Sequence, residues 1–408
     1  MSQLLIGNAV VGQSGGPTAV INQSLVGVIE AAKDAPMIRR LLGARHGVRG
    51  IVDEKFVQLK GLSRRGLERL ARTPGAALGS TRDKPDEDYC RRIFEVFAAH
   101  DVRYFFYIGG NDSADTARIV RDLARQAGYP LRVFHIPKTI DNDLRVTDHC
   151  PGYGSAARFV ALAMMGEDRD NASLLGIKIS VIMGRNAGWL TAASMLARRY
   201  PGDGPHLIYV PEVPFSLGRF VRDVRGVYRR IGRCLVAVSE GIADRSGTPI
   251  AVKLALQLGK KVEYDKHGNV QLSGTGVLGD FLAEYIKAKL TPKGGPAPRV
   301  RADTYGYLQR SFAGCASPVD RAEARACGQQ AVHFAAAGAT SGSVVIRRAK
   351  GRRYRVRLEL AGLSSVARKS RPMPRKYINR EGNDVTGAFR AYAAPLVGEL
   401  PQLARLPG

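Results

Sequence analysis

The chain has 408 residues, and its 62 Lys and Arg against 36 Asp and Glu give a formal net charge of +26. The hydrophobic fraction of 45% supports sizeable cores, and no stretch stays apolar for long enough to span a bilayer. The first residues lack a signal-peptide pattern, and the five cysteines are scattered without a Cys-x-x-Cys pair. We therefore expect a cytoplasmic protein with reduced thiols, with no membrane partner, disulfide framework or zinc site.

Apolar runs alternate with helical patterns along the chain. Residues 4–11 predict a buried parallel strand, and a helix is predicted directly after it at 18–32. Further strands are predicted at 103–108, 131–136, 177–183, 207–210 and 235–238. Further helices are predicted at 112–126, 155–170, 187–199, 219–231, 278–290 and 320–337. This alternation predicts an α/β fold with two lobes, each with a mainly parallel sheet covered by helices, and an active site in the cleft between them.

Positive charge is concentrated near the C-terminus. Residues 345–380 carry thirteen Lys or Arg and one acid, Glu359. Arg353, Arg355 and Arg357 alternate, so in a strand they would share one face. We favour a solvated edge strand over a polyanion site, because charge on an edge discourages pairing between sheets. Stretches rich in proline or glycine at 291–298 and 371–374 predict loops. The second stretch also predicts the start of a less regular C-terminal tail.

A glycine-rich turn joins the first strand to its helix. Gly12, Gly15 and Gly16 precede Pro17, a residue suited to a first helical turn. Free backbone amides and the helix dipole would favour an anion there. The spacing matches neither a dinucleotide fingerprint nor a P-loop.

Polar side chains follow two later strands. One strand delivers Gly109-Gly-Asn-Asp-Ser113, and the next delivers Lys138-Thr-Ile-Asp-Asn-Asp143. Loops at the carboxyl ends of parallel strands carry ligands, and acids around one lysine suit substrate oxygens and Mg²⁺. The pattern favours phosphoryl transfer, with Asp141 accepting a hydroxyl proton, Lys138 neutralising the transferring group, and Asn111 or a carboxylate holding the metal.

These motifs together resemble the phosphofructokinase family over nearly the whole chain. The motifs that carry the resemblance are Ser14-Gly-Gly-Pro17 with Asn22, Leu78-Gly-Ser-Thr-Arg82, Gly109 to Ser113, Pro137 to Asp143, Met183-Gly-Arg-Asn-Ala-Gly188, Ser239-Glu-Gly241 and Leu308-Gln-Arg310. The chain is most similar to the branch of the family that uses diphosphate in place of ATP. The resemblance implies a reversible step of glycolysis and gluconeogenesis, in which Mg²⁺ assists the transfer of a phosphoryl group from diphosphate to fructose 6-phosphate.

The resemblance also implies a role for each site residue. Asp141 would take the proton from the 1-hydroxyl, with Lys138 and Asp112 as the other catalytic residues and with Asn111 and Asp112 at the metal. The implied substrate contacts are Gly15 and Arg82 for phosphate, Thr139, Met183, Gly184, Arg185 and Glu240 for the sugar, and Arg301, Tyr307 and Arg310 for the 6-phosphate. Guanidinium groups suit phosphate because they offer paired donors.

Donor choice is expected to depend on Asp112 and Lys138. ATP-using members usually carry glycine where this chain has Asp112, whose carboxylate would repel the α-phosphate of a nucleotide. Lys138 is typical of diphosphate users. Asn111 stands where the family commonly has a metal-binding aspartate, and Tyr307 where it has a histidine.

Two further expectations concern assembly and the remaining candidates. Residues 176–180 lack an arginine that ATP-dependent members send into a neighbouring subunit, although Lys178 could substitute, so a homo-oligomer is expected, with a dimer favoured. Trp189 and Leu196 are predicted to be core residues, and His135 a buried or edge histidine that takes no part in catalysis.

The lobes are expected to divide the chain at three crossings. Residues 1–142 with 255–308 would form the diphosphate-binding lobe. Residues 143–254 with 309–408 would form the sugar-phosphate lobe, with a basic C-terminal extension. Three alternatives stay open: an ATP-dependent phosphofructokinase, a diphosphate-dependent enzyme that also accepts sedoheptulose 7-phosphate, and a nucleic-acid-binding protein. The last is disfavoured, since acids converge on the predicted site and no recognition pattern for nucleic acid is present.

Overall fold

The computed structural model describes residues 5–257, 276–351, 353–368 and 370–405. The chain forms two compact units. Unit 1 comprises Met1–Ala156 and Arg310–Arg371, and unit 2 comprises Ala157–Gln309 and Pro372–Gly408. No helix in the described part of the chain is both long enough and apolar enough to cross a membrane.

Strands and helices alternate along the described residues as the sequence predicts. The strands are β1 Gly7–Gln13, β2 Ile38–Ala44, β3 Phe56–Gln58, β4 Val102–Gly109, β5 Arg132–Pro137, β6 Gly176–Ile182, β7 Leu207–Tyr209, β8 Arg233–Ser239, β9 Val300–Thr304, β10 Ser341–Arg348 and β11 Val356–Ala361. The helices are α1 Ile21–Lys33, α2 Val48–Val52, α3 Arg64–Arg72, α4 Glu87–Ala99, α5 Asn111–Gln126, α6 Tyr153–Leu174, α7 Trp189–Ala192, α8 Leu217–Ile231, α9 Ile250–Gln257, α10 Val277–Leu290, α11 Leu308–Ser311, α12 Pro318–Ala336, α13 Leu363–Val366 and α14 Gly387–Val397.

Unit 1 is built on a seven-stranded sheet with the order β11-β10-β5-β4-β1-β2-β3. The five inner strands pair in parallel, and the two outermost pairs are antiparallel. Val11 packs into the core on one face of the sheet, with residues of α1 and α12. Its neighbour Val10 packs into the core on the other face, with residues of α4 and α5. Because both faces of the sheet are buried, the sequences of these strands are almost continuously apolar.

Unit 2 is built on a four-stranded parallel sheet with the order β7-β8-β6-β9. Its described core joins Ile179 of β6 and Val236 of β8 to Phe220 of α8 and Leu282 of α10. The α/β class with two mainly parallel, helix-covered sheets is therefore confirmed.

The chain divides between the units differently from the predicted boundaries. Residues 310–371 belong to unit 1, because β10 pairs in parallel with β5, Ser341 opposite Val133. The described part of 255–309 belongs to unit 2, because β9 pairs in parallel with β6, Val300 opposite Ile177. Residues 258–275, which the prediction placed with the first lobe, lie outside the described residues.

Local structure also differs from prediction in the C-terminal tail and at residues 187–199. The tail after residue 374 is more regular than predicted, since α14 forms there and buries Phe389 and Leu396. The helix predicted at 187–199 is α7 followed by a 3-10 helix, Ala193–Ala197. Trp189 and Leu196 are buried there, as predicted.

Candidate active site

The glycine-rich turn after β1 lies against Lys138. Gly15 has a φ of 75°, and a Cβ atom added to it would lie 2.9 Å from Lys138 Nζ. The Lys138 ammonium donates a hydrogen bond of 2.8 Å to the Gly16 carbonyl oxygen, and this lysine is only 3% exposed. Glycine at position 15 avoids both the strain and the clash that a side chain would bring. The turn thus lies against a buried cation, and positive charge there favours an anion such as phosphate.

Two arginines add to the positive charge around this turn. A Cβ atom on Gly16 would lie 3.2 Å from Arg310 Cζ. Arg82 ends the turn whose Thr81 carbonyl accepts a hydrogen bond of 2.9 Å from the backbone of Gly15. Burial, together with the positive charge of Arg310, lowers the pKa of Lys138 from 10.5 to about 7. So much positive charge in one place favours an anion.

The position of Arg310 was not foreseen. The family resemblance implies that this residue contacts the sugar 6-phosphate. In unit 1 its guanidinium lies beside Gly16 and acts on Lys138, the residues expected to bind diphosphate.

The transfer loop, residues 138–148, follows β5 and carries the predicted base. The Asp141 backbone donates a hydrogen bond of 3.1 Å to Thr139 Oγ1. The negative charge of Asp141 acts on Lys138 and opposes the fall in its pKa. Asp141 and Lys138 are therefore neighbours, as a base and a charge-neutralising cation in one transfer site must be.

A second polar cluster joins Asn111 to Asp143 and Ser370. Asn111 Nδ2 donates to Asp143 Oδ2 at 3.2 Å, and Ser370 Oγ donates to the same carboxylate oxygen at 3.0 Å. Burial raises the pKa of Asp143, against hydrogen bonds from Ser370 and Thr139 that lower it. Within the described residues, the buried Asn111 Oδ1 has no hydrogen-bond partner.

The carboxylate of Asp143 is a ligand type that Mg²⁺ prefers, whereas Asn111 turns its amide nitrogen toward that carboxylate and its oxygen away from it. Among the residues that the structure describes, no group of three or more His, Cys, Asp or Glu side chains is arranged to hold a metal ion. A cation here would therefore complete its shell with phosphate oxygens and water, as Mg²⁺ commonly does.

Asp112 lies with Lys84 instead of with the Asn111 cluster. Its Oδ2 is 3.4 Å from Lys84 Nζ, and its side chain is 62% exposed. Among the described residues, Asn111 is hydrogen-bonded to Asp143, whereas Asp112 is paired with Lys84. Asp112 keeps a position at the first turn of α5, where it presents a carboxylate to solvent.

Unit 2 brings three of the predicted sugar residues together. Gly184 N donates to Glu240 Oε1 at 3.4 Å, and the Gly184 carbonyl accepts from Ser239 Oγ at 2.7 Å. Met183 N donates to Gln309 Oε1 at 3.3 Å. Arg185 belongs to the same turn after β6, and Glu240 is buried. The two motifs that end β6 and β8 therefore form one polar surface.

Two other predicted residues of unit 2, Arg301 and Tyr307, are exposed. Arg301 is exposed on the outer strand β9, and its Nη1 donates to the Val300 carbonyl at 3.0 Å. Tyr307 is 52% exposed. Lys178, the expected substitute for a cross-subunit arginine, makes an ion pair of 3.0 Å with Asp303 of its own chain.

His135 and the cysteines behave as predicted. His135 is buried between Ser343 Oγ and the Gly109 carbonyl, each 2.8 Å from a ring nitrogen. Burial lowers the pKa of His135 to about 4, so the ring is neutral at physiological pH. All five cysteines are free and buried.

Sequence reasoning missed Asp143, Ser370 and Lys84 as site residues. Asp143 stands inside a motif that it had already selected, two residues after the predicted base, so its spacing was the available signal. Ser370 lies 227 residues from Asp143 along the chain, and no local pattern connects them.

The chain is similar to known proteins over most of its length. A family model described as phosphofructokinase matches residues 8–335. The chain belongs to the phosphofructokinase family. This confirms the resemblance read from the motifs.

Several members of the phosphofructokinase family match over nearly the whole chain. The pyrophosphate–fructose 6-phosphate 1-phosphotransferase of Rhodospirillum rubrum is 55% identical over 401 residues, 98% of this chain and 96% of that protein. The enzyme of the same name from Xanthomonas campestris is 40% identical, over 97% of this chain and 93% of that protein. A solved structure of a pyrophosphate-dependent phosphofructokinase from Marinobacter aquaeolei superposes with a TM-score of 0.84 at 36% identity, covering 98% of this chain and 94% of that one.

Proposed function

We propose that this chain is a diphosphate-dependent 6-phosphofructokinase. It transfers a phosphoryl group from diphosphate to the 1-hydroxyl of fructose 6-phosphate, giving fructose 1,6-bisphosphate and phosphate. The step is reversible, because the phosphoanhydride of diphosphate and the sugar ester are closer in energy than ATP and the ester. It would serve both glycolysis and gluconeogenesis.

The observation that carries the proposal is the contact between Lys138 and the glycine turn. A buried ammonium bonded to the Gly16 carbonyl, with Arg310 and Arg82 around it, suits a small, highly charged donor. Asp141 beside that ammonium supplies the base.

The proposed reaction uses these groups in one displacement. Asp141 accepts the proton of the 1-hydroxyl as the sugar oxygen forms a bond to the nearer phosphorus of diphosphate. The bond from that phosphorus to the bridging oxygen breaks, and phosphate leaves with the electron pair. Lys138 stabilises the charge on the transferring group, and Gly15 and Arg82 bind the donor.

Asn111 and Asp112 remain the residues proposed to hold Mg²⁺, and the Asp143 carboxylate beside Asn111 is a further proposed ligand. When bound, the ion would neutralise phosphate charge. The carboxylate of Asp112 would also oppose the extra negative charge of a nucleotide donor, so we assign it to donor selection as well.

Thr139 of the transfer loop is proposed to contact the sugar phosphate. Met183, Gly184 and Arg185 would contact the sugar phosphate, and Glu240 would accept hydrogen bonds from sugar hydroxyls. Arg301, Tyr307 and Arg310 remain the proposed 6-phosphate contacts. We further propose a cytoplasmic homo-oligomer, with a dimer favoured, which light scattering of the purified protein would check.

The test is a product assay with purified protein, Mg²⁺ and fructose 6-phosphate. Diphosphate should give fructose 1,6-bisphosphate, and ATP at the same concentration should not. Equal rates with the two donors would favour an ATP-dependent enzyme and overturn the role of Asp112. A parallel assay with sedoheptulose 7-phosphate measures acceptor breadth.

A further inference from the structure

Ser370 closes a triangle of hydrogen bonds with two site residues. Its Oγ donates to Asp143 Oδ2 at 3.0 Å and accepts from Asn111 Nδ2 at 3.4 Å. Asn111 Nδ2 also donates to Asp143 Oδ2 at 3.2 Å. Because the amide nitrogen faces both acceptors, the buried Oδ1 of Asn111 must point the other way. The serine hydroxyl therefore fixes the direction of a carboxylate and of an amide together.

The next residue, Arg371, holds the backbone of the transfer loop. Its backbone N–H donates to the Asp143 carbonyl at 2.6 Å. Its guanidinium donates to the carbonyl oxygens of Asn142 at 3.0 Å, Thr147 at 2.8 Å and Asp148 at 3.2 Å. A guanidinium presents its donors in a rigid planar fork, so one side chain can bind several carbonyls of a curled loop.

The transfer loop needs such support because part of its backbone is strained. Asn142 and Val146 have φ values of 56° and 63°. The left-handed region is tolerated by asparagine but is a true outlier for a β-branched residue such as valine. Strained residues persist where surrounding contacts over-determine them. The carbonyl groups that accept hydrogen bonds from Arg371 lie between residues 142 and 148, a range that includes both strained residues.

The same segment is also tied to the helix that carries Asn111. Arg368 Nε donates to Asp115 Oδ2 at 2.6 Å, and Asp115 belongs to the first turns of α5. Residues 368, 370 and 371 thus contact the helix α5, which follows β4, and the transfer loop, which follows β5. Their sequence lies in the basic segment 345–380, for which the motifs suggested no role.

We propose that Ser370 and Arg371 are positioning residues for phosphoryl transfer, Ser370 by aligning Asp143 with Asn111 and Arg371 by fixing the transfer loop. This inference rests on the proposed function of that site. Ser370 is exposed, so removing its hydroxyl leaves no cavity and should not weaken the fold. A loss of activity in such a variant therefore reports on alignment.

The test compares three serine variants of the full-length protein. Ser370→Ala removes the hydroxyl, and Ser370→Thr keeps one. Ser365→Ala is the matched control, since Ser365 is an exposed serine of the same region whose hydroxyl donates to the Gly362 carbonyl of its own turn at 2.7 Å. Each variant is assayed for kcat, for KM toward both substrates and for thermal midpoint.

Ser370→Ala should lower kcat by roughly tenfold to a hundredfold, with the KM for fructose 6-phosphate and the thermal midpoint unchanged. Ser370→Thr should recover most of the activity, and Ser365→Ala should match the wild type. A kcat for Ser370→Ala equal to that of Ser365→Ala would overturn the role of Ser370. So would a loss of kcat that follows a matching loss of folded protein.

Arg371→Lys tests the second half of the inference. It keeps the positive charge but loses the fork, so kcat should fall while the KM for fructose 6-phosphate holds. Wild-type kcat in Arg371→Lys would overturn the role of the fork, and the serine variants decide independently if the lysine variant folds poorly. If the wild-type protein makes no product from diphosphate, the proposed function itself is overturned. If the wild type is active and the variants are equally active, only the positioning roles are overturned.

Discussion

Lys138 Nζ and the Gly16 carbonyl oxygen lie 2.8 Å apart, so the cation that the sequence selected is hydrogen-bonded directly to the glycine turn. A buried ammonium with an arginine neighbour holds its proton weakly. Burial and the charge of Arg310, which lower the pKa of Lys138 to about 7, therefore predict donor binding that depends on pH near neutrality.

We predict that diphosphate affinity falls as pH rises above 7. Burial and Arg310 lower the pKa of Lys138 to about 7, so the free enzyme loses this charge above that pH, while bound diphosphate favours the protonated form. The KM for diphosphate of the wild type should therefore rise with pH more steeply than that of Lys138→Arg, whose guanidinium stays charged. Taking the ratio of the two proteins at each pH cancels the titration of diphosphate itself. A ratio that is constant from pH 6 to about 9 would contradict the assignment.

The same lysine should leave a signature in folding stability. Its pKa is lowered on folding, so between pH 7 and about 10.5 the unfolded chain binds a proton that the folded chain has released. Stability conferred through this group therefore rises with pH across that window. Lys138→Met should remove that rise, measured as the free energy of unfolding in urea at a series of pH values. An unchanged slope would mean that Lys138 keeps an ordinary pKa.

Asp112→Gly should relax donor selection. Removal of the carboxylate frees the place where a nucleotide phosphate would meet negative charge, so the ratio of kcat/KM for ATP to that for diphosphate should rise by at least about tenfold. The effect is limited because Asp112 is 62% exposed and paired with Lys84. Asp112→Asn separates charge from volume, since it keeps the size and removes the charge. If both variants keep the wild-type ratio, another residue selects the donor.

Asp141→Asn should abolish most of the chemical step. Loss of a general base typically costs about 10²- to 10⁴-fold in kcat, and the amide keeps the shape of the side chain. Because Asp141 is assigned to proton transfer, binding of fructose 6-phosphate, measured by calorimetry, should persist. His135→Gln serves as a comparison, since His135 is buried and has no assigned role in the reaction. Full activity in Asp141→Asn would remove the base assignment.

The predicted elements that succeeded are those with a strong local pattern. The runs at 103–108 and 131–136 became β4 and β5, because strands buried on both faces must be apolar throughout. β9 was missed, since in Val300–Thr304 only Val300 is fully buried and polar residues alternate with the rest. The prediction of an edge strand from the arginine alternation was partly right. β11 is the outermost strand of its sheet and Arg357 is exposed in it, whereas Arg353 and Arg355 precede the strand.

Contacts between segments that are far apart along the chain could not be predicted from the sequence. The unit boundaries depend on the pairing of β10 with β5. No local sequence pattern near the points where the chain passes between the units indicates which strand β10 pairs with. Gly15, Lys138 and Asp141 were found because each motif follows a buried strand. Ser370 and Arg371 were not, because only the folded chain brings a basic segment against the transfer loop.

The helix pair α1 and α12 offers a test of packing in unit 1. A Cβ atom on Gly27 would lie 2.1 Å from the Arg325 carbonyl oxygen, and one on Gly328 would lie 2.1 Å from the Ser24 carbonyl oxygen. In each contact the added Cβ atom would meet a backbone atom of the facing helix. Such an atom cannot rotate away as a side chain can, so one of the helices would have to shift as a whole. Gly328→Ala should therefore lower the free energy of unfolding by about 3 kcal/mol or more, at the upper end of overpacking costs. Gly166→Ala in the interior of α6 is the matched control, because its added Cβ would meet nothing within 4 Å. Alanine favours a helix over glycine by about 1 kcal/mol, so the control should be stabilised. Unfolding in urea distinguishes the two, and a Gly328→Ala protein as stable as Gly166→Ala would show that the helices do not cross at these glycines.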